Sequence, residues 1–217
     1  MASSIIHMAV ANELNKKLNR DNKSILIGSI APDIAKLIGE DKKKSHFITD
    51  EPNIPDLNKF LSIYKTDLED DFVLGYYIHL YTDYVWFKYF IPNYLKDSYV
   101  CDLNNNKLNL TEEEIVNYIY NDYTNLNSKV IDCYNLELSI FYEDYPTFKN
   151  IIQEIPMNRI NVLIDNAGII IKNAKRSTAY LFDIKNVSEF INFCVQIILN
   201  DLKDLRIYKV WQNLYNL

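Results

Sequence analysis

Glycine is scarce in this chain, with four residues among 217, and proline numbers six. So few chain breakers argue against the many tight turns of an all-β fold and favour long helices. There is no glycine-rich loop to cradle nucleotide phosphates and no glycine-flanked serine elbow for acyl chemistry. The three cysteines, Cys101, Cys133 and Cys194, are odd in number and lack paired spacing, so they read as reduced thiols rather than a disulfide framework. No apolar run reaches the roughly 18 residues of a transmembrane helix. The first twenty residues meet Asn12, Glu13 and Lys16 before any long apolar stretch, so no secretory signal is expected and the cytoplasm is the expected location. A net charge of −6 lacks the basic surplus of a polyanion binder, so no nucleic-acid polymer is expected as a partner.

What is present is helical pattern in an ordinary globular composition, 48% hydrophobic and 24% charged. Ile5, Ile6, Ala9, Val10, Leu14 and Leu18 recur at helical spacing behind Ser3 and Ser4, which predicts a capped helix over 3–19. The short apolar piece "SILIGSIAP" follows and ends at Pro32, and 39–55 reads as a polar loop. Helices are expected from Asp56, over 68–90, from Thr111 (a capping box with Glu114), and over 146–154, 157–175, 187–202 and 203–214. Residues 97–110 read as a loop. No segment sustains strand-type alternation. The expectation is an all-α, bundle-like, single multi-helix domain spanning 1–217.

The stretch "LGYYIHLYTDYVWF" (74–87) has the aromatic content of a buried helix yet contains His79 and Asp83, one turn apart on one face. Tyr76, Tyr77, Tyr81, Tyr84 and Trp86 read first as core, and alternatively as the lining of an apolar pocket. Burying two ionisable groups is costly, and a divalent cation that takes both lone pairs offsets that cost. The other two histidines, His7 and His46, also adjoin apolar segments, and Asp33 follows Pro32 where a turn can aim it inward. Three imidazoles and two carboxylates exceed what one tetrahedral zinc needs, so one complete site with a partial second one is the natural reading. Iron or manganese are alternatives to zinc. The run Lys42–Lys44 reads as a solvated face, or as a means of drawing an anionic substrate towards His46.

The ordered set "GSIAPD" (28–33), "SHF" (45–47) and "LGYYIHLYTD" (74–83), downstream of "IIHMAVANEL", resembles the bacterial zinc-dependent phospholipase C family, which shares an all-α fold with the single-strand-specific zinc nucleases. The resemblance covers roughly residues 3–90; from 100 onward only the helical pattern agrees. It implies that Asp33, His46, His79 and Asp83 ligate one zinc. It further implies that Asp83 bridges to a second ion held with His7, and that Asp33 is the catalytic base on the attacking water. It implies a metal-dependent hydrolase of phosphoric esters, a phosphodiesterase of phospholipase C type, acting on a small phosphorylated or phospholipid-like substrate. A mononucleotide phosphatase with the same metal core is a weaker reading. Two features depart from the family. No tryptophan stands among the six residues before His7, where secreted members use a processed N-terminal tryptophan. No histidine follows His79, so the third zinc of those enzymes lacks its usual ligands, for which Glu112, Glu113 or Glu114 are the substitutes at hand. The alternative reading is a non-catalytic, metal-stabilised binding or regulatory module.

Overall fold

Most of the described α-helices, though not those beginning at Ile34 and Ile160, begin where a side-chain oxygen takes up unpaired N–H groups of the first turn. The computed structural model describes residues 2–96, 99–174 and 179–207. Ser3 caps α1 (Ser4–Leu18), accepting from the Ile6 amide at 3.2 Å. Asp21 caps α2 (Asn22–Gly28), and a 3-10 turn at Ala31–Asp33 leads into α3 (Ile34–Leu37). Asp41 caps α4 (Lys42–Ser45), Asp56 caps α5 (Leu57–Tyr64) and Asp70 caps α6 (Asp71–Val85). After a small sheet come α7 (Glu112–Tyr134), α8 (Ile160–Lys172) and α9 (Ile184–Asp204). The predicted Thr111–Glu114 capping box is present at α7, and Asp183 with Asn186 forms another at α9.

The protein is mostly helical, as expected, and buried side chains from Ala2 to Leu202 join one core. Helices α1 and α6 are buried on nearly every face, which marks them as central rather than amphipathic surface helices. α1 packs against α2, α6, α7 and α9. The closest crossing is α2 on α6, where a Cβ on Gly28 would collide with the Phe72 carbonyl and one on Gly75 with the Ile25 carbonyl. Only glycine permits that approach. It brings the turn after α2, and with it Asp33, up to the middle of α6.

Several expectations need correction. The segment predicted as a loop from 97 holds part of a three-stranded antiparallel sheet of β1 (Leu95–Lys96), β2 (Tyr99–Cys101) and β3 (Lys107–Leu108), with Lys96 opposite Tyr99 and Val100 opposite Leu108. Strands this short carry no readable alternation. The helix predicted over 146–154 does not form, because the Gln153 amide donates to the Tyr64 hydroxyl at 3.0 Å and the Gln153 side chain donates to the Asn150 and Ile151 carbonyls. Ile152 is buried instead as part of an irregular plug. The long helix over 68–90 is α-helical only to Val85 and continues as a π-helical turn, Trp86–Phe90. Pro92 has no amide N–H and crowds the carbonyl four residues back, which favours such widening. The predicted loop 39–55 contains α4, and "SILIGSIAP" spans most of α2 and its 3-10 turn. Of the helix predicted over 203–214, Lys203 and Asp204 end α9, and 208–214 lie outside the described residues.

Candidate metal centre

Four elements bring the five side chains singled out in the sequence together. His7 lies in the second turn of α1, and His79 and Asp83 are one turn apart on α6. Asp33 ends the 3-10 turn, and His46 directly follows α4. The residue after it, Phe47, takes a left-handed φ of 54°, uncommon for an aromatic residue, and its ring packs edge-on against Phe60 at 5.2 Å. Tyr76 donates its hydroxyl hydrogen to the Ser45 carbonyl and so ties the His46 loop to α6. His7, His79 and Asp83 are fully buried, His46 is 1% exposed and the Asp33 side chain 16%.

Hydrogen bonding fixes two tautomers. His79 Nδ1 faces the Ser29 carbonyl at 2.8 Å, an acceptor only, so Nδ1 carries the hydrogen and Nε2 a lone pair. Ser45 Oγ donates to the Lys42 carbonyl at 3.1 Å, which leaves it an acceptor towards His46 Nδ1 at 3.0 Å. The Lys42 carbonyl also accepts from that ring nitrogen at 3.2 Å. His46 Nε2 is therefore bare as well. The two Nε2 atoms face each other at 3.2 Å, lone pair to lone pair, an arrangement that calls for a cation between them. Carbonyl acceptors behind ligating imidazoles are the usual outer shell of a metal centre.

The carboxylates complete the arrangement. His46 Nε2 lies 3.6 Å from Asp33 Oδ1 and 3.8 Å from Asp83 Oδ2, and His79 Nε2 lies 3.7 Å from Asp83 Oδ2. Four donors around one tetrahedral zinc stand about 3.4 Å from one another, given bonds of about 2.0–2.2 Å. The two oxygens of this set, Asp33 Oδ1 and Asp83 Oδ2, are also buried atoms without a hydrogen-bond partner. His7 stacks on His79 with centroids 3.8 Å apart and planes at 11°. Its Nε2 comes within 3.4 Å of Asp83 Oδ1, yet both its ring nitrogens lack a properly formed hydrogen bond. His7, His79 and Asp83 form one group of converging donors and Asp33, His46 and His79 another, so the residues fit a divalent cation. His79 offers a single free nitrogen and so serves one of the two groups at a time; Asp83 Oδ2 approaches His46 and His79, and Asp83 Oδ1 approaches His7 Nε2.

Burial holds the His79 imidazole down to about 3 from its ordinary 6.5, with His7 adding to the effect. Burial alone would raise both carboxyls. The neighbouring imidazoles reverse this, taking Asp33 down to about 2, chiefly through His46, and Asp83 below the usual carboxylate range, chiefly through His7. At neutral pH His79 is thus a neutral imidazole and Asp33 and Asp83 are ionised, the protonation state these three need as ligands. Between about pH 6.5 and 3, unfolding of the metal-free protein takes up a proton at His79. Its stability is therefore expected to fall as pH falls through that window, by up to about 1.4 kcal/mol per pH unit, with Asp33 adding to the loss below about pH 4. Chemical denaturation at pH 7, 6 and 5 checks this, and equal midpoints and slopes would contradict it.

A cavity of 340 Å³ opens beside Asp33, lined by Lys36, Tyr120, Asn127 and Asn166 with apolar walls from Leu37 and Leu163. Lys36 donates to the Tyr120 hydroxyl at 3.0 Å. Nothing in the sequence singles out these cavity residues, although Lys36 stands one helical turn after Asp33. Nor could it show the main-chain groups at the centre: the Ser29 and Lys42 carbonyls, and the Ala2 amide, which donates to Asp83 Oδ1 at 3.0 Å. Glu112, Glu113 and Glu114 lie exposed in the first turn of α7 and belong to neither donor group. Glu114 is occupied by the capping box. Cys194 is fully buried in α9, as expected of a small core residue. Compared with protein-family models, curated proteins and solved structures, the chain matches none.

Proposed function

We propose that this protein is a metal-dependent hydrolase of phosphoric esters, zinc being the ion best suited to its ligands, with a fold of the zinc-dependent phospholipase C type. The observation that carries the reading is that the orphaned buried oxygens, Asp33 Oδ1 and Asp83 Oδ2, lie 3.6–3.8 Å from the bare imidazole nitrogens of His46 and His79, near the spacing of donors around one ion. Asp33, His46, His79 and Asp83 hold the principal ion, and His7 with Asp83 Oδ1 offers a weaker second position. When bound, a divalent ion acidifies a water and offsets the charge of a phosphoryl group. The chain's own residues supply the rest. Asp33 borders both the donors and the cavity, so its carboxylate is the group placed to take the proton of an attacking water. Lys36 brings one positive charge to the same cavity, and Leu37 and Leu163 exclude water from the ester's alcohol.

Protein purified without a metal-affinity tag or chelator is expected to carry at least one zinc per chain by mass spectrometry. Such protein should also hydrolyse bis-(p-nitrophenyl) phosphate or p-nitrophenyl phosphate, and lose that activity after chelation. Bound metal without hydrolysis of either ester would assign the protein to the non-catalytic, metal-stabilised class. An intact, metal-free fold that cannot be loaded with zinc would overturn both readings.

A further inference from the structure

The cavity beside Asp33 has two unlike walls. Tyr120, Thr124 and Asn127 recur at i, i+4 and i+7 and form a polar stripe along α7. Leu163, Ala167 and Ile170 form an apolar stripe along α8 at the same spacing. Asp33 and Lys36 are the only charged residues among the described ones that line the cavity. Asn127 is the informative member of the polar wall. It is 7% exposed, and its Oδ1 takes the Ser3 hydroxyl at 3.5 Å, which leaves the Nδ2 hydrogens for another acceptor. Among the described residues they have none, and Nδ2 is not one of the walled-in atoms, so the opening it meets is the cavity. Asn166 of α8 and Ser4 of α1 line the same space, and their side chains too make no hydrogen bond among the described residues.

A buried amide donor without a partner is costly, and a ligand that brings an acceptor removes that cost. Asp33 belongs both to the donors of the metal centre and to the cavity lining, so a phosphoryl group at the ion would leave its alcohol between the two stripes. The walls then select that alcohol. Apart from Asp33 no carboxylate lines the cavity to hold an alkylammonium head, and Lys36 repels one. At 340 Å³ the space is at the small end of ligand sites and does not take a pair of long acyl chains. Hydroxyls suit the free amides and the Ser4 hydroxyl, and a short carbon skeleton suits the apolar stripe of α8. We propose that the cavity receives a small, uncharged, hydroxyl-bearing alcohol, as in a glycerol or sugar phosphate, with Asn127, Asn166 and Ser4 as its hydrogen-bond partners. The inference rests on the metal-centre reading and narrows its substrate class.

The test uses the phosphonate analogues of glycerol phosphate and of phosphocholine, whose carbon–phosphorus bond a phosphoric-ester hydrolase cannot cut. Each is titrated by calorimetry into the zinc-loaded full chain, beside inorganic phosphate. The glycerol analogue is expected to bind about 10-fold or more tightly than the phosphocholine analogue, since a site built to hydrogen-bond a hydroxyl rejects a ligand that lacks it. Asn127→Leu and Asn166→Leu should each lower its affinity, relative to that of inorganic phosphate, by about 2- to 10-fold, the worth of one hydrogen bond. The two variants alter different helices, so if melting curves show one to be misfolded the other still decides. Equal affinity for the two phosphonates, preference for the phosphocholine analogue, or unchanged relative affinity in the folded variants would each overturn the proposal. Zinc-loaded protein that binds neither phosphonate overturns it while the metal centre stands, and failure to load zinc overturns both. Discrimination by a protein that cleaves neither nitrophenyl ester sustains the binding site and rejects hydrolysis alone.

Discussion

His79→Ala is expected to strip the protein of its principal ion and to lower its melting temperature by roughly 5–10 °C in zinc-containing buffer. The size follows from linkage. An ion that binds only the folded state contributes about 2.7 kcal/mol at one hundred times its dissociation constant, and each kcal/mol moves the midpoint of a chain this long by about 2–4 °C. His79 matters most because its free Nε2 faces the bare Nε2 of His46 at 3.2 Å and because its ring supports His7 by stacking. Alanine removes a donor and leaves His46 without the partner that aims it. It also opens a small void in a fully buried position, which lowers stability even without metal. Melting wild type and variant, each with zinc and with chelator, separates the two effects. The void shows in both conditions, the ion only in the difference. A variant that keeps the wild-type zinc content and the same zinc-dependent increment would remove His79 from the ligand set.

Gly75→Ala should be at least as damaging although it touches no ligand. A Cβ there meets the Ile25 carbonyl, and backbone cannot swing aside as a flexible side chain can. Helix α2 would have to lift from α6 along their closest crossing, at a cost of about 1–3 kcal/mol or more. The displacement reaches the centre directly. Ser29 follows α2, and its carbonyl sets the His79 tautomer from 2.8 Å, while Asp33 is four residues further on. Loss of such an outer-shell partner commonly costs about 10- to 100-fold in metal affinity. Gly168→Ala in α8 is the control, since a Cβ there finds only ordinary contacts, the nearest at 3.6 Å from Tyr142. It is expected to leave zinc affinity alone and to raise stability by about 0.5–1 kcal/mol through helix propensity. Denaturation midpoints and competitive zinc titration read both variants. A Gly75→Ala protein with wild-type stability and affinity would show that the α2–α6 crossing is not what holds the centre.

The legible parts of this protein were those written in local chemistry. Caps at Ser3 and Thr111 announced two helices correctly, because an N-cap acts within three residues of itself. The spacing of His79 and Asp83 placed them on one face for the same reason. His7, Asp33 and His46 were selectable by residue type and by rarity, but their meeting depends on Gly28 and Gly75 letting two helices touch. A helical pattern does not encode that contact. The misplaced helix over 146–154 failed on a tertiary donor and acceptor, the Gln153 amide and the Tyr64 hydroxyl 89 positions apart. The sheet around Val100 was missed because its strands are too short for alternation to register. Of the aromatics read first as core, Tyr76, Tyr77 and Trp86 are buried there, while Tyr81 and Tyr84 are only part-buried.

The uneven burial of the five donors has a kinetic corollary. Four of them are buried, and Asp33 alone is among the residues that line the 340 Å³ cavity, so the proposed ion would be reached from that cavity past Asp33. A chelator cannot approach His7, His79 or Asp83 while the helices stay closed. Exchange of the proposed ion would then be expected to depend on opening of the short 3-10 turn and α3, which carry Asp33 and Lys36, more than on how tightly the interior donors hold. An ion in such a chamber has a long residence time even where its equilibrium affinity is modest, and loading it is easiest while the chain is still folding.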